Sequence, residues 1–247
     1  MSLTYAIADL HGRFDLLESA VSEIRKHAGA TPFKIITMGD YVDRGPESRE
    51  IIEFLMAWQH VDSSLICLKG NHEEMMVETI RKPLDPDWWI ANGGDATLIS
   101  YGHPRKGSYQ PDVVPADHLA WLDALPLMHV DEYRVFVHAG VDPTYPLDEQ
   151  KAAVLLWWRY PDGTDVGHGE RHVVHGHHKF ADGPKCYVNR TDLDTFAWYT
   201  GRLVIGVFDD SRRGGPVEFI EVKAQIGTIR ESGKRLVELG LKPKPKG

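Results

Sequence analysis

The chain has 247 residues, of which 42% are hydrophobic and 26% are charged, a composition typical of a globular protein and not of a disordered chain. Its formal net charge of -8 argues against a general affinity for nucleic acid backbones, and no apolar run approaches the ~20 residues that a membrane-spanning helix requires. We therefore expect one domain over residues 1–241, with no nucleic acid or membrane partner.

The amino terminus and the two cysteines predict a reduced, cytoplasmic protein. The first eight residues lack the basic segment of a secretion signal and have the pattern of a first strand. Cys67 lies in an apolar run and Cys186 follows a Pro-Lys pair, and two such cysteines form neither a disulfide framework nor a metal motif. We expect Cys67 to be a small core residue.

The first third of the chain repeats a strand, a polar loop and a helix three times. The predicted strands at 3–8, 33–38 and 65–69 are almost entirely apolar, as in a parallel sheet that is covered on both faces. Between them, apolar residues recur every three or four positions on the stripes Phe14, Leu17, Val21, Ile24 and Ile51, Ile52, Leu55, Met56. The three polar loops should therefore meet at one edge of the sheet.

Residues 82 to about 127 interrupt this repeat with prolines, glycine pairs and the tandem tryptophans Trp88 and Trp89. No flexible linker flanks the segment, so we expect an inserted helical cap and not a separate domain. Further strands are predicted at 134–138, 171–175, 185–188, 195–200, 203–208 and 217–222, enough for a second sheet. A terminal helix is predicted at 226–240 and a disordered tail at 242–247.

The loops after the first three strands carry the polar clusters Asp9-Leu10-His11-Gly12, then 39–45 with Asp40, Asp43 and Arg44, then Gly70-Asn71-His72-Glu73. Asp9 and His11 are two positions apart, and in extended backbone their side chains would project to the same side and share one cation. Three carboxylates in a single pocket would repel one another, and bound cations remove that repulsion. Glycines at 39, 45 and 70 permit tight turns and close approach of the backbone.

Two more candidate ligands follow later strands, since His138 ends an apolar run and His177 lies in His175-Gly176-His177-His178. Any one such residue, taken alone, is more often a cap or a hydrogen-bonded loop residue. Five strand ends that each present a metal-type ligand favour a metal site.

These motifs, which contain GDxxDR and GNHE preceded by a DxH element, resemble those of the calcineurin-like metallophosphoesterases. The resemblance covers about residues 3–208. The chain is most similar to the bacterial and phage branch of the Ser/Thr phosphoprotein phosphatases, and also to symmetrical diadenosine tetraphosphatases. The resemblance implies an α/β fold, a four-layer α/β/β/α sandwich of two mixed β-sheets with a helical cap insertion and a metal site at the carboxyl-terminal edge of the strands.

The resemblance also implies two divalent metal ions and a set of site residues. One metal would be bound by Asp9, His11 and Asp40, and the other by Asp40, Asn71, His138 and His177, with Asp40 as the bridge. His72 would be the general acid, supported by Asp43, while Arg44 and Arg159 would hold the substrate phosphate. Ligands of these types suit manganese, iron, zinc or cobalt, and the resemblance favours manganese.

One departure from the superfamily concerns substrate choice. Many phosphodiesterase and nuclease members have Gly-His-x-His, whereas Lys179 stands here at the position of the second histidine. The departure favours the phosphoprotein phosphatase branch over a phosphodiesterase. His178 is one residue out of register, and His175 either lines the site or is packed in the core.

Three functions remain open from the sequence. The first is a Ser/Thr protein phosphatase that acts on a phosphorylated protein or a small phosphoester, and the second is a symmetrical diadenosine tetraphosphate hydrolase. Adenine could stack on Trp88, Trp89, Trp157 or Trp158, although paired tryptophans are more often core residues. The third is a metal-binding scaffold without turnover, which the complete set of expected catalytic residues disfavours.

Overall fold

The computed structural model describes residues 2–82, 84–106, 108–161 and 163–224. The strands are β1 (Leu3–Ile7), β2 (Phe33–Thr37), β3 (Leu65–Cys67), β4 (Met128–Val130), β5 (Arg134–Val137), β6 (His172–His175), β7 (Lys185–Cys186), β8 (Arg190–Asp192), β9 (Arg202–Asp209) and β10 (Glu218–Lys223). The helices are α1 (Phe14–Ala28), α2 (Ser48–Val61), α3 (Asn71–Arg81), α4 (Asp87–Trp89), α5 (Asp95–Ser100), α6 (Ala116–Ala124), α7 (Ala152–Trp157) and α8 (Ala197–Thr200).

The first sheet has the strand order β10-β9-β1-β2-β3. Strands β1, β2 and β3 are parallel neighbours, which confirms the predicted repeat of strand, loop and helix. The strands at 203–208 and 217–222 had been assigned to a second sheet, and that prediction is wrong. Residues 202–209 instead pair antiparallel with β1, with Leu3 opposite Asp209, so the last two strands extend the first sheet.

The second sheet has the order β4-β5-β6-β8-β7, in which β5, β6 and β8 are parallel. The strand predicted at 195–200 is wrong, because this segment forms the short helix α8. Asp192 and Asp194 each accept, with a side-chain oxygen, the backbone N–H of the residue two positions later, which turns the chain out of the sheet. The strand lies just before this turn, as β8, where none was predicted.

Helices and sheets form four layers. A first apolar cluster packs α1, α2, α3 and α6 on one face of the first sheet. A second cluster lies between the two sheets and is formed by Ala6, Ala8, Ile36, Met38, Leu68, Phe136, Val174, Leu193 and Phe208. A third joins the outer face of the second sheet to α7 through Leu155. The α/β/β/α sandwich of two mixed sheets is therefore confirmed.

The predicted cap contains α4, α5 and α6 together with a turn of π-helix at Ile90–Gly94. Cys67 is buried, as expected, and Cys186 is exposed. Among the described residues, no helix combines the length and the apolarity that a membrane crossing requires. The helix predicted at 226–240 and the tail predicted at 242–247 lie outside the described residues.

Candidate metal centre

The predicted ligands meet where parallel strands of both sheets end. Asp9, Asp40 and Asn71 follow β1, β2 and β3 of the first sheet, while His138 and His177 follow β5 and β6 of the second. All five side chains are buried. Because the carboxyl ends of parallel strands share an edge, the packing of the two sheets brings these five loops into one place.

The backbone at this edge is strained. Among the described residues, seven that are not glycine have a positive φ, and six of them are candidate site residues, namely Asp9, His11, Asp40, Asp43, Arg44 and His177. The left-handed conformation costs about 1 kcal/mol for such a residue and persists only where the surroundings hold it, most often at functional sites. Extended backbone had been predicted from Asp9 to His11, and the φ of 42° at both residues shows that prediction to be wrong.

Glycines allow the loops to touch, as predicted. Gly39 has a φ of 87°, and a Cβ atom on this residue would lie 2.3 Å from the backbone nitrogen of Gly70. A Cβ on Gly176 would lie 2.0 Å from Oδ2 of Asp9. The loops from β2 and β3, and those from β1 and β6, therefore approach more closely than a side chain would permit.

The candidate metal ligands form two groups. In the first group, hydrogen-bond acceptors converge around His138. His138 donates its Nδ1 proton to the carbonyl of Met38 at 2.8 Å, which leaves Nε2 as an acceptor. This nitrogen lies 2.9 Å from Oδ1 of Asn71, 3.2 Å from Nδ1 of His177 and 3.5 Å from Oδ1 of Asp40. Burial lowers the pKa of His138, so the ring does not readily take a second proton. Acceptors that meet in this way repel one another unless a cation lies between them.

His177 presents Nδ1 to this group, while its Nε2 is buried and has no hydrogen-bond partner among the described residues. Burial, together with the neighbouring His138, lowers the pKa of His177 to about 2. The ring is therefore neutral, with a proton on one nitrogen and a lone pair on the other, and the unprotonated nitrogen can bind a metal ion. The donor set of this group therefore fits a divalent cation.

The second group contains His11, Asp40 and His72. His11 donates from Nδ1 to the carbonyl of Val42 at 2.8 Å, which directs its Nε2 toward Oδ2 of Asp40 at 3.3 Å. The candidate ligand atoms of the three residues lie within 4.8 Å of one another, as do those of Asp40, His138 and His177 in the first group. Asp40 belongs to both groups, the position expected of a bridging carboxylate.

The surroundings favour the ionised form of Asp40 and disfavour the ionised form of Asp9. Burial would raise the pKa of Asp40, but His138, His72 and His11 outweigh it and hold the pKa well below its usual range. Asp9 lies outside both groups, accepts the backbone N–H of His177 at 3.0 Å and lines the same pocket. Burial, with repulsion from Asp194 and Asp40, raises the pKa of Asp9 well above its usual value.

His72 is held by a buried carboxylate, as predicted. Its Nδ1 lies 2.6 Å from Oδ2 of Asp43, which also accepts hydrogen bonds from the indole of Trp89 at 3.0 Å and the hydroxyl of Thr97 at 2.8 Å. Burial alone would lower the pKa of His72, but the charge of Asp40 and the hydrogen bond to Asp43 raise it above its usual value. Nε2 faces the pocket and accepts an N–H of Arg44 in this structure; once that guanidinium turns to a phosphate, Nε2 can carry a proton and supply it there.

Two predicted arginines border this pocket, which has a volume of about 100 Å³. One guanidinium nitrogen of Arg44 lies 2.9 Å from Nε2 of His72, and the side chain packs over the ring of Trp198 at 5.8 Å. Arg159 lines the pocket from a different segment, the residues just after α7. The pocket is lined by Asp9, Asp40, Arg44, Asn71, His72, Asn92, Trp157, Arg159, His177, Lys179 and Asp194.

Sequence reasoning missed the role of Glu73. Its buried carboxylate accepts the backbone N–H groups of Asp40 and Gly70 at 2.8 Å and that of Tyr41 at 2.7 Å, which ties the loop after β2 to the start of α3. The signal was present, since a Glu three residues after a helix N-cap commonly bonds backbone at that end. Asp194 was also missed, because the segment at 195–200, whose turn its side chain stabilises, was taken for a strand.

Packing assigns structural positions to His175, His178 and Trp89 and leaves Trp88 exposed. His175 is buried, takes a hydrogen bond from Arg190 at 3.1 Å and does not line the pocket. His178 donates from Nε2 to the carbonyl of Trp158 at 3.0 Å. Trp89 is a core residue, whereas Trp88 is 58% exposed and stacks on Trp157 at 5.7 Å.

Comparison with known proteins agrees with this geometry. The family model described as calcineurin-like phosphoesterase matches residues 3–206. Serine/threonine-protein phosphatase 2 of Escherichia coli (strain K12) is 33% identical over 213 residues, which cover 81% of this chain and 89% of that protein. A symmetrical bis(5'-nucleosyl)-tetraphosphatase of Pseudomonas syringae pv. syringae (strain B728a) is 29% identical over 145 residues, which are 58% of this chain and only 43% of that protein.

A solved structure described as a putative diadenosine tetraphosphatase superposes with a TM-score of 0.62 at 20% identity, over 91% of this chain and 95% of the other. This likeness concerns the fold alone.

The substitution Glu73→Gln should destabilise the protein by about 2–4 kcal/mol, because the amide group would turn N–H donors toward buried N–H donors. Burial and the charge of Asp40 raise the pKa of Glu73 to about 7, so urea unfolding is measured at pH 8, where the carboxylate is ionised. The control is Glu74→Gln, whose amide oxygen can still accept the indole N–H of Trp157. Equal loss in both variants would contradict this role of Glu73.

Proposed function

Since the chain belongs to the calcineurin-like phosphoesterase family, we propose that it is a metal-dependent phosphomonoesterase that removes phosphate from serine or threonine residues of proteins. The observation that carries the proposal is the position of Arg44, whose guanidinium lies between His11 and His72 at the mouth of the metal pocket. A planar guanidinium suits a phosphate dianion, and Nε2 of His72, which accepts an N–H of Arg44 here, is placed to carry a proton toward the leaving alkoxide once the guanidinium turns to the phosphate.

In this proposal, Asp9, His11 and Asp40 hold one divalent cation, and Asp40, Asn71, His138 and His177 hold the other. The second site is supported by the converging acceptors around Nε2 of His138 and by the neutral ring of His177, whose Nδ1 lies 3.2 Å from that nitrogen. The raised pKa of Asp9 supports the first, because a cation would restore the charge that burial and repulsion disfavour. Manganese is our choice of metal, since the ligands are oxygen and imidazole nitrogen with no thiolate.

The residues of the chain bind the substrate and supply its proton. When bound, divalent cations polarise phosphoryl oxygens and lower the pKa of water toward neutrality. Arg44, in the loop after β2, and Arg159, just after α7, orient the phosphate. The hydrogen bond between Nδ1 of His72 and Asp43 fixes the ring, so Nε2 donates its proton to the leaving alkoxide. No covalent phosphoenzyme is required.

A second candidate is the symmetrical hydrolysis of diadenosine tetraphosphate. It is favoured by the exposed indole of Trp88, which stacks on Trp157, a residue that lines the metal pocket. A base stacked on Trp88 would lie beside the site where its phosphates react. The phosphatase is preferred because the relative with that name aligns over 89% of its length, against 43% for the tetraphosphatase.

The bridging role of Asp40 predicts that Asp40→Asn loses metal and activity together, because a neutral amide cannot balance two cations as a carboxylate does. Metal content after gel filtration, measured by mass spectrometry, should fall below two ions per chain. Asp112→Asn, at an exposed carboxylate of the cap, should keep both. An Asp40→Asn protein with two metals and normal turnover would refute the bridge.

If His72 is the general acid, His72→Asn should keep its metals and lose ~10²- to 10⁴-fold in kcat on an alkyl phosphate. The loss on p-nitrophenyl phosphate should be smaller, because its phenolate leaves with little protonation. The pKa of His72 is raised, and the required form is the charged one, so the fall in wild-type kcat as pH rises through this pKa should vanish in the variant. Equal losses on both substrates would exclude proton donation by His72.

The substrate is tested by measuring kcat/KM side by side on a phosphothreonine peptide and on diadenosine tetraphosphate. We expect the peptide to be preferred and a simple phosphodiester to be poor. A hundredfold preference for the tetraphosphate, about 2.7 kcal/mol of transition-state free energy, would overturn the phosphatase proposal. In that case Trp88→Ala should raise the KM for the tetraphosphate and leave p-nitrophenyl phosphate hydrolysis nearly unchanged.

A further inference from the structure

Lys179 is a third cation at the metal pocket, and neither the predicted metal ligands nor the acid require it. It lines the pocket together with Arg44 and Arg159, and its side chain is exposed and therefore accessible to a substrate. It lies two residues after His177, on the loop that leaves β6. The pocket therefore presents cationic groups from three separate segments of the chain.

The ammonium group is not neutralised by a close partner. None of the ion pairs within 4 Å among the described residues involves Lys179. Burial raises the pKa of Asp194 to about 7, and Lys179 is near enough to that carboxyl to oppose the rise. Its contact is with an aromatic ring, because Nζ lies 5.1 Å from the centroid of Phe196. A cation over a ring face is attracted by the quadrupole but keeps its N–H donors available.

Phe196, whose ring contacts Lys179, has an unfavourable backbone conformation. Phe196 has φ 58° and ψ 43°, the left-handed region, which is unfavourable for a residue with a large side chain. Asp194 holds this conformation by accepting the N–H of Phe196 at 2.8 Å. The same turn places Trp198 under Arg44, so one strained segment supports two of the cations. Strain of this kind is retained where the surroundings require a particular geometry.

We propose that Lys179 is a substrate-binding residue that contacts a non-bridging oxygen of the phosphate and favours dianionic monoesters over monoanionic diesters. Phe196 is its positioning residue. The proposal rests on the proposed phosphomonoesterase function and adds a residue and a charge preference to it. A lysine suits this position because its point charge on a flexible stem can follow an oxygen that the two planar guanidinium groups leave free.

The test compares Lys179→Met with Lys185→Met, a matched control. Lys185 also lies over an aromatic ring, Phe180 at 5.3 Å, but it does not line the pocket. With metal content verified, we expect Lys179→Met to reduce kcat/KM on p-nitrophenyl phosphate about tenfold, mainly through KM, and on bis(p-nitrophenyl) phosphate less than about threefold. The Kd of the holoenzyme for inorganic phosphate should rise about tenfold. Lys179→Arg should recover most of both losses, and Lys185→Met should match the wild type.

Phe196→Gly tests the positioning role, because glycine relieves the left-handed strain while it removes the ring. The relief of strain opposes the loss of the ring contacts with Trp198 and Tyr199, so folding is checked by thermal unfolding, and the folded variant should raise the KM for the monoester about threefold. An unchanged Kd for phosphate in Lys179→Met, or equal losses on monoester and diester, would overturn the proposal. If the wild type hydrolyses no monoester, the proposed function fails by itself, and the Kd for phosphate still decides whether Lys179 binds the anion.

Discussion

The structure depends on one electrostatic constraint, the meeting of buried acceptor atoms at the joint edge of two sheets. Nε2 of His138 faces oxygens of Asn71 and Asp40 and Nδ1 of His177, and it carries no proton because Nδ1 of His138 donates to Met38. In an interior of low polarity such a cluster is unfavourable unless cations fill it. The two groups of candidate ligands share Asp40, so the charge of one residue serves both.

Left-handed residues and glycines in the surrounding loops allow these acceptor atoms to approach one another. Left-handed residues turn the loops of β1, β2 and β6 inward, and Gly39 lets the second loop touch the third. Glu73 then ties these two loops together by accepting backbone N–H groups from both. Each left-handed residue costs stability, and the surrounding hydrogen bonds and core packing offset that cost. The rigidity keeps the acceptors at ligand distance, which is the condition for a preorganised metal site.

At the mouth of the pocket, cationic side chains pack over aromatic rings. Arg44 packs over Trp198 and Lys179 over Phe196; Phe196 precedes α8 and Trp198 lies within it. Rings support positive charge without neutralising it, whereas carboxylates at the same positions would compete with the substrate for the cations. A chain of net charge -8 thus places three cationic side chains, Arg44, Arg159 and Lys179, where a phosphate would enter the pocket.

The sequence alone determined the repeat of β1, β2 and β3, the edge where the polar loops meet and the residues that gather there, because hydrophobic period and glycine-marked motifs are local signals. It misassigned 195–200, where aromatic residues suggest a strand, because the side-chain oxygens of Asp192 and Asp194 turn the chain instead. Only the tertiary structure decided that β9 joins β1 and that Lys179 reaches the pocket. Sheet partners and contacts between distant loops depend on burial across the whole chain, which no local pattern records.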